Sequence, residues 1–185
     1  MAEISIPEKA QWVEPAVIDT EDFNRIFRFF VINTPADGLS SRQKKLVDYG
    51  WNTPWRKPYS LRRQLNHLSN NPFLIFSAQK YDQMETEMSK ADLIAFPPAN
   101  IETERVCVYN NQGTQYLSVF YHIRNALAHG RFNIDGDVLL MEDAAPKKKW
   151  MAKGTKSCSA RMVLKISTLI KWIELIESGE KEFED

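Results

Sequence analysis

The sequence has little glycine and no net charge. It holds seven glycines among 185 residues, and so few glycines favour helices over tight turns. Its 24 basic and 24 acidic residues cancel. This balance argues against a long, non-specific nucleic-acid footprint, because proteins with such footprints are usually basic overall. Any contact with RNA is therefore expected to be local.

Cysteine is also scarce, and no cysteine or histidine pair has the spacing of a zinc site. Cys107 and Cys158 lie far apart in the chain. Two isolated cysteines predict free thiols in a reducing cytosol, with a Cys107–Cys158 disulfide as the alternative. We expect neither a metal site nor a cofactor.

Long apolar runs are absent as well. No window reaches about 18 consecutive apolar residues, so no transmembrane helix is predicted. The first residues lack the basic region and apolar stretch of a signal peptide. The expectation is a cytoplasmic protein that makes no membrane contact.

The apolar fraction of 43% is sufficient for one domain with a core of its own. We predict an irregular N-terminal arm over residues 1–18 and a single helical domain over residues 19–185. Apolar residues recur at helical spacing in several segments. The predicted helices cover residues 21–33, 40–49, 59–69, 73–96, 115–129 and 159–177.

A β hairpin is predicted over residues 131–143, where Asp135-Gly136 suits a type I′ turn between two short apolar segments. Residues 104–113 are compatible with either a strand or a loop. The basic run after Pro146 is compatible with a loop or a third strand. The predicted fold class is mainly α: a helical bundle with a small β hairpin inserted before the last helix.

Polar residues that could do chemistry concentrate on the helix predicted over 115–129. At about 100° per residue, His122, Asn125 and His129 lie within about 60° of one another around the helix axis. Arg124 lies about 140° from His129 by the same periodicity. One helix therefore makes a poor site for Arg124 and His129 together. Two copies related by a twofold axis would make a better one.

These residue types suit the cleavage of RNA. Arginine offers planar donors to a phosphate, histidine exchanges a proton near neutral pH, and asparagine can orient either group. RNA carries its own nucleophile, the 2′-hydroxyl. Cleavage then needs a base, an acid and a phosphate clamp, and no metal.

The stretch FYHIRNALAHGRF over residues 120–132 closely resembles the signature of HEPN domains (higher eukaryotes and prokaryotes nucleotide-binding). The signature consists of an arginine, a polar residue and a histidine near a helix end, here Arg124, Asn125 and His129. The resemblance implies a HEPN-like helical bundle and a metal-independent endoribonuclease. It further implies a homodimer with a composite site, and a role as a toxin or antiviral-defence effector with an antitoxin or regulatory protein as a further partner.

Within that hypothesis, Arg124, Asn125 and His129 are the catalytic candidates. His129 would be the general base or acid, and Arg124 would clamp the scissile phosphate. His122 and Arg131 are candidate substrate-binding residues, although each is also compatible with an ordinary structural role.

Other basic residues are weaker candidates for RNA contacts. Arg56-Lys57 lie among aromatic residues that could stack on bases, although a solvated loop anchored by tryptophans fits that segment better. Lys147-Lys148-Lys149 form a second basic run.

Two other functions are compatible with the same residues. A non-catalytic HEPN module that binds nucleotides or RNA and regulates a partner would keep the motif without turning over a substrate. A structural helical adaptor would use the motif for stability alone.

Overall fold

The computed structural model describes residues 3–10, 21–36, 42–57, 60–69, 72–146 and 152–180. Its centre is a mixed six-stranded sheet in the order β2-β3-β6-β5-β4, with β1 pairing to β6 off this path. β2 and β3 run parallel, and the other pairs are antiparallel. The strands are β1 (Ser5–Pro7), β2 (Phe73–Ala78), β3 (Glu104–Tyr109), β4 (Phe132–Asp135), β5 (Val138–Ala144) and β6 (Thr155–Lys165).

Five α-helices accompany the sheet in the described ranges, together with short 3-10 and π segments. The α-helices are α1 (Glu21–Phe27), α2 (Leu61–Leu68), α3 (Met84–Lys90), α4 (Gln115–Ala128) and α5 (Ile166–Ser178). The π segment, Arg28–Asn33, continues α1, and the 3-10 segments are Leu46–Tyr49 and Tyr81–Gln83.

The helices cover both faces of the sheet and form three layers. On one face, sheet residues such as Met141 and Met162 pack with α1, α2, α4 and α5. On the other face, Leu140 and Val163 pack with α3 and with Ile6 of β1. A sheet covered on both faces is typical of an α/β architecture.

The mainly α fold class predicted from the sequence is therefore wrong, and so is the helical bundle with one inserted hairpin. The predicted hairpin exists as β4 and β5, but it forms one side of the larger sheet. Two predicted helices, over 73–96 and 159–177, each begin with a strand instead. The first contains β2 and then the short α3, and the second contains the end of β6 and then α5.

The physical reason lies in how β6 is buried. Ser157–Leu164 are buried without interruption, because both faces of this central strand are covered. Such a strand shows no alternation of polar and apolar residues, and periodicity cannot separate it from a buried helix. Met162, Ile166, Leu169, Ile173 and Ile176 recur at helical spacing across the boundary between β6 and α5. This spacing is continuous because Met162 faces the same core as Leu169.

Several local predictions are confirmed. The helix predicted over 115–129 is present as α4. It begins where Thr114 accepts a hydrogen bond from the backbone N–H of Leu117, and Gly130 adopts a left-handed conformation after it. Both cysteines are free thiols.

The turn of the hairpin differs in type from the predicted one. Its strands pair up to Asp135 and Val138. Of the two turn residues, Gly136 alone has a positive φ, which fits type II′ rather than I′.

The N-terminal segment is joined to the sheet. β1 pairs with the first residues of β6, with Ile6 opposite Lys156. The Arg131 guanidinium donates hydrogen bonds to the carbonyls of Pro7 and Glu8. No helix in the described ranges has the length and apolar character needed to cross a membrane.

Candidate functional site

One face of α4 determines where its polar residues point. Phe120, Ile123 and Leu127 are at most 2% exposed and pack into the core that α4 shares with the sheet. Because this stripe faces inward, the adjacent face of the helix lies against the end of β5 and the strand–helix loop at Asn111. A cavity of about 260 Å³ opens there.

The cavity brings together residues from five parts of the chain. Its polar and aromatic lining comprises Tyr81, Asn111, Tyr121, His122, Asn125, His129, Asp143, Lys156 and Ser159. A second cavity of about 310 Å³ shares His129, Asp143, Ala144 and Lys156 with the first, and it extends toward residues 8–10. The two cavities therefore form one groove around the C-terminal end of α4.

His122 belongs to the wall of this cavity and is only 1% exposed. Its Nδ1 lies 2.7 Å from Asp143 Oδ2, and its Nε2 lies 2.8 Å from the Tyr109 carbonyl oxygen. A carbonyl and a carboxylate are both acceptors. Both ring nitrogens of His122 are therefore engaged by oxygen atoms of the protein.

Asp143 in turn orients Asn125. The Asn125 amide donates to Asp143 Oδ2 at 3.3 Å, and the backbone N–H of Ala144 donates to Asp143 Oδ1 at 2.8 Å. The Asn125 Oδ1 accepts a hydrogen bond of 3.0 Å from Arg124 Nη1. A chain of hydrogen bonds thus runs from Tyr109 through His122, Asp143 and Asn125 to Arg124.

His129 stands apart from this chain of hydrogen bonds. It is the C-cap of α4, and its backbone N–H bonds to carbonyls within the helix. Its imidazole is exposed and has no hydrogen-bond partner among the residues described. A free imidazole at the rim of a polar cavity can accept or donate a proton to a bound molecule.

The three residues that helical periodicity placed on one side, His122, Asn125 and His129, all line the first cavity. Arg124 is not among the lining residues, in agreement with its predicted divergence from His129. Its buried Nε has no partner among the described groups, and its visible contact is with Asn125.

Arg131 lines the second cavity and is 5% exposed. Besides its bonds to the N-terminal segment, its Nη1 lies 3.6 Å from Glu142 Oε1. Glu142 also receives a hydrogen bond of 3.0 Å from Arg161 Nε. The guanidinium of Arg131 is thus engaged by protein groups in this structure, as is the imidazole of His122.

The sequence did not predict five of the residues that line the first cavity, which are Tyr81, Tyr121, Asp143, Lys156 and Ser159. Asp143 ends the predicted hairpin and carried no local sign of a partner on α4. Ser159 was assigned to a helix. Only Lys156 carried a signal, because it belongs to the basic run after Pro146.

Tyr81 adds a hydrogen-bond donor to the cavity wall. Its ring stacks on Tyr109 with a centroid distance of 4.1 Å. Burial, reinforced by the neighbouring Tyr109 and Asp143, raises the pKa of Tyr81 far above its ordinary value. The phenol therefore stays protonated through the neutral range.

The basic segment around Arg56-Lys57 lies away from this site, and neither residue lines the groove. Trp51 is 1% exposed and donates from its indole to the Ile176 carbonyl, so it anchors the loop to α5. Lys147-Lys148-Lys149 lie outside the described residues. No cluster of three or more potential metal ligands occurs within the described part of the chain.

Comparisons of the chain with protein-family models, with curated proteins and with solved structures gave no match.

Proposed function

We propose that this protein is a metal-independent endoribonuclease that cleaves RNA through attack of the 2′-hydroxyl. The observation that supports the proposal is the convergence of a free imidazole, His129, and an oriented amide, Asn125, in one polar cavity. The motif's resemblance to the HEPN signature adds to it. Because the fold is not the helical bundle of that resemblance, the proposal depends on the site and not on the architecture.

His129 exchanges the proton in this scheme. As a base, it removes the proton of the 2′-hydroxyl, whose oxygen then attacks the adjacent phosphorus and expels the 5′-oxygen. The products are a 2′,3′-cyclic phosphate and a 5′-hydroxyl end, the latter formed when an acid protonates the leaving oxygen. Asn125 donates to the phosphate or holds the substrate in line, and Arg124 keeps the Asn125 amide in place.

A homodimer completes the acid–base pair in this proposal. One imidazole cannot take and give a proton in the same displacement step. His129 is exposed at the end of α4, so a second copy can bring its own His129 to the opposite side of the RNA. The protein would act in the cytoplasm, where its two free thiols remain reduced.

The test is cleavage of total RNA by purified protein in EDTA. His129→Ala should lower the rate by about 100-fold or more, the usual contribution of a general base or acid. Asn125→Ala and Arg124→Ala should also lower it. His67→Ala is the matched control, since His67 is exposed on α2 and lines neither cavity; this variant should cleave as the unmodified chain does. Equal trace cleavage in the parent and in His129→Ala would mark contamination and reject the proposal.

A non-catalytic module that binds RNA or nucleotides is the second candidate. One observation favours it: His122 is engaged at both nitrogens, so only one cavity imidazole per chain is available to a ligand. Such a cavity can hold a phosphate without turnover. RNA binding that is retained in EDTA, with no cleavage by the parent chain or any variant, would select this candidate.

A further inference from the structure

We infer that Lys156 and Ser159, both on β6, form a phosphate-binding subsite within the same chain that supplies His129. The inference deepens the proposed function and rests on it for the identity of the substrate, an RNA phosphodiester. The binding of a phosphate can nevertheless be measured without any cleavage.

Ser159 occupies a β-bulge. β5 and β6 pair Asp143 with Ala160 and then Ala144 with Cys158, which leaves Ser159 as the extra residue on β6. A bulge interrupts the ladder and redirects one side chain, and such irregularities are frequent beside functional sites. Here the redirected residue becomes part of the cavity wall.

The Ser159 hydroxyl is unusual in its surroundings. The residue is 2% exposed, and its Oγ is buried with no hydrogen-bond partner within the described structure. Buried hydroxyls are nearly always hydrogen-bonded, because an unpaired one destabilises the fold. A hydroxyl left without a partner in a cavity wall is therefore suited to a polar ligand.

Lys156 supplies the charge. It lines both cavities and lies three residues before Ser159 on the same strand. Its ammonium group forms no ion pair or hydrogen bond with any residue that the structure describes. A lysine that is half-buried at a polar cavity and unpaired is available to an anion.

The local charge balance also favours an anion. Asp143 is the one carboxylate that the described residues place in the first cavity, and its two oxygens are already engaged by His122, Asn125 and the Ala144 backbone. Glu8 lines only the second cavity. Among the described residues, Lys156 and His129 thus face Asp143, whose oxygens are already engaged, in the first cavity and also Glu8 in the second.

This arrangement reassigns the phosphate clamp. The sequence motif assigned that role to Arg124, which contacts Asn125 and does not line the cavity. Lys156 lies in the same cavity as His129, so one chain provides both a phosphate ligand and a proton-transfer group. Arg124 then acts as a positioning residue for Asn125.

The test is a calorimetric titration with adenosine 3′-monophosphate, which carries a phosphate but no bond to cleave; adenosine alone is the ligand control. Lys156→Ala and Ser159→Ala should each weaken binding, by about tenfold for the lysine, as expected for a lost charge-assisted bond. Lys153→Ala is the matched variant: Lys153 is exposed, lies on the same segment and lines neither cavity. It should bind as the parent does.

Thermal unfolding shows whether weaker binding by a variant comes from a folding defect. Ser159→Ala should be no less stable than the parent, because it removes a hydroxyl that has no partner. Lower affinity together with unchanged or higher stability would support a ligand-binding role.

Three results would overturn the inference: no binding of the nucleotide by the parent chain, equal affinity for adenosine and the nucleotide, or parent-like binding by Lys156→Ala. RNA cleavage is a separate measurement. If the parent chain cleaves RNA and Lys156→Ala cleaves and binds as the parent does, the subsite is rejected and the ribonuclease proposal stands. If nucleotide binding depends on Lys156 and the parent chain cleaves no RNA, the ribonuclease proposal is rejected and the subsite stands.

Discussion

At the scale of single residues, the buried contact between His122 and Asp143 stabilises the fold and also positions a residue of the candidate site. The two side chains are 1% and 3% exposed, and each is held by further groups. Because Asp143 also receives the Asn125 amide, the pair determines where a candidate catalytic side chain points. His122 is therefore a positioning residue rather than a substrate ligand in this structure.

Replacing His122 by leucine tests this role. The variant leaves the buried side chain of Asp143 without its hydrogen-bond partner His122, a change that typically costs about 1–3 kcal/mol. Urea denaturation should show a correspondingly lower free energy of unfolding. His67→Leu, on the exposed face of α2, provides the comparison and should unfold near the parent midpoint.

The double variant His122→Leu/Asp143→Leu adds a check on the mechanism. Replacing both partners of a buried hydrogen bond by apolar groups is often close to neutral. The double variant should therefore recover part of the stability lost in His122→Leu. Simple additivity of the two losses would contradict the assigned coupling.

At the scale of elements, β3 and α5 are joined by one carboxylate. Glu104 begins β3 and is 1% exposed. Its oxygens accept bonds from the Lys165 backbone N–H at 2.7 Å and from the Thr168 hydroxyl at 2.9 Å. Lys165 is the N-cap of α5 but provides no side-chain cap. Glu104 thus caps the helix from a neighbouring strand and places a negative charge at its positive end.

Glu104→Gln should weaken this junction. The substitution keeps the shape but removes the charge and directs an amide toward donors, so we expect a loss of about 2 kcal/mol in unfolding free energy. Glu102→Gln, at an exposed position two residues earlier, should change stability by less than about 0.5 kcal/mol. Equal denaturation midpoints for the two variants would contradict the capping role.

At the scale of the whole molecule, the three-layer core buries several groups that ionise in alkali. Burial raises the pKa of the Cys107 thiol to about 12, from an ordinary value of 9.0. Burial raises the pKa of Cys158 and of Tyr116 still further. In the unfolded chain these groups would lose their protons at their ordinary pKa values. The folded chain therefore binds more protons than the unfolded chain above pH 9.

The free energy of unfolding should consequently keep its full value below about pH 9 and fall as the pH rises further. The limiting slope is about 1.4 kcal/mol per pH unit for each buried thiol. Urea denaturation at pH 8 and at pH 10.5 measures the difference. Cys107→Ala should show a shallower decline than the parent, whatever its stability at pH 8. A free energy of unfolding that is constant over this interval would contradict the burial of the thiols.

Local physics made part of this protein predictable from its sequence. The helix over 115–129 and the shared face of His122, Asn125 and His129 both followed from the helical repeat. These features depend on residues within a few positions of one another. The motif and its chemical hypothesis were therefore visible without the fold.

The tertiary structure alone decided the rest. β6 was not predicted because a strand covered on both faces loses the alternation of polar and apolar residues. β2 was not predicted because its apolar run FLIF does not alternate either. Asp143, Lys156 and Ser159 joined the site through sheet pairing and a bulge, and no local pattern reports such long-range neighbours. The sequence of the helix alone specified the candidate residues His122, Arg124, Asn125 and His129. The sheet beside it decided which of them are held by protein groups, as His122 and Arg124 are, and which remain open to a substrate, as His129 does.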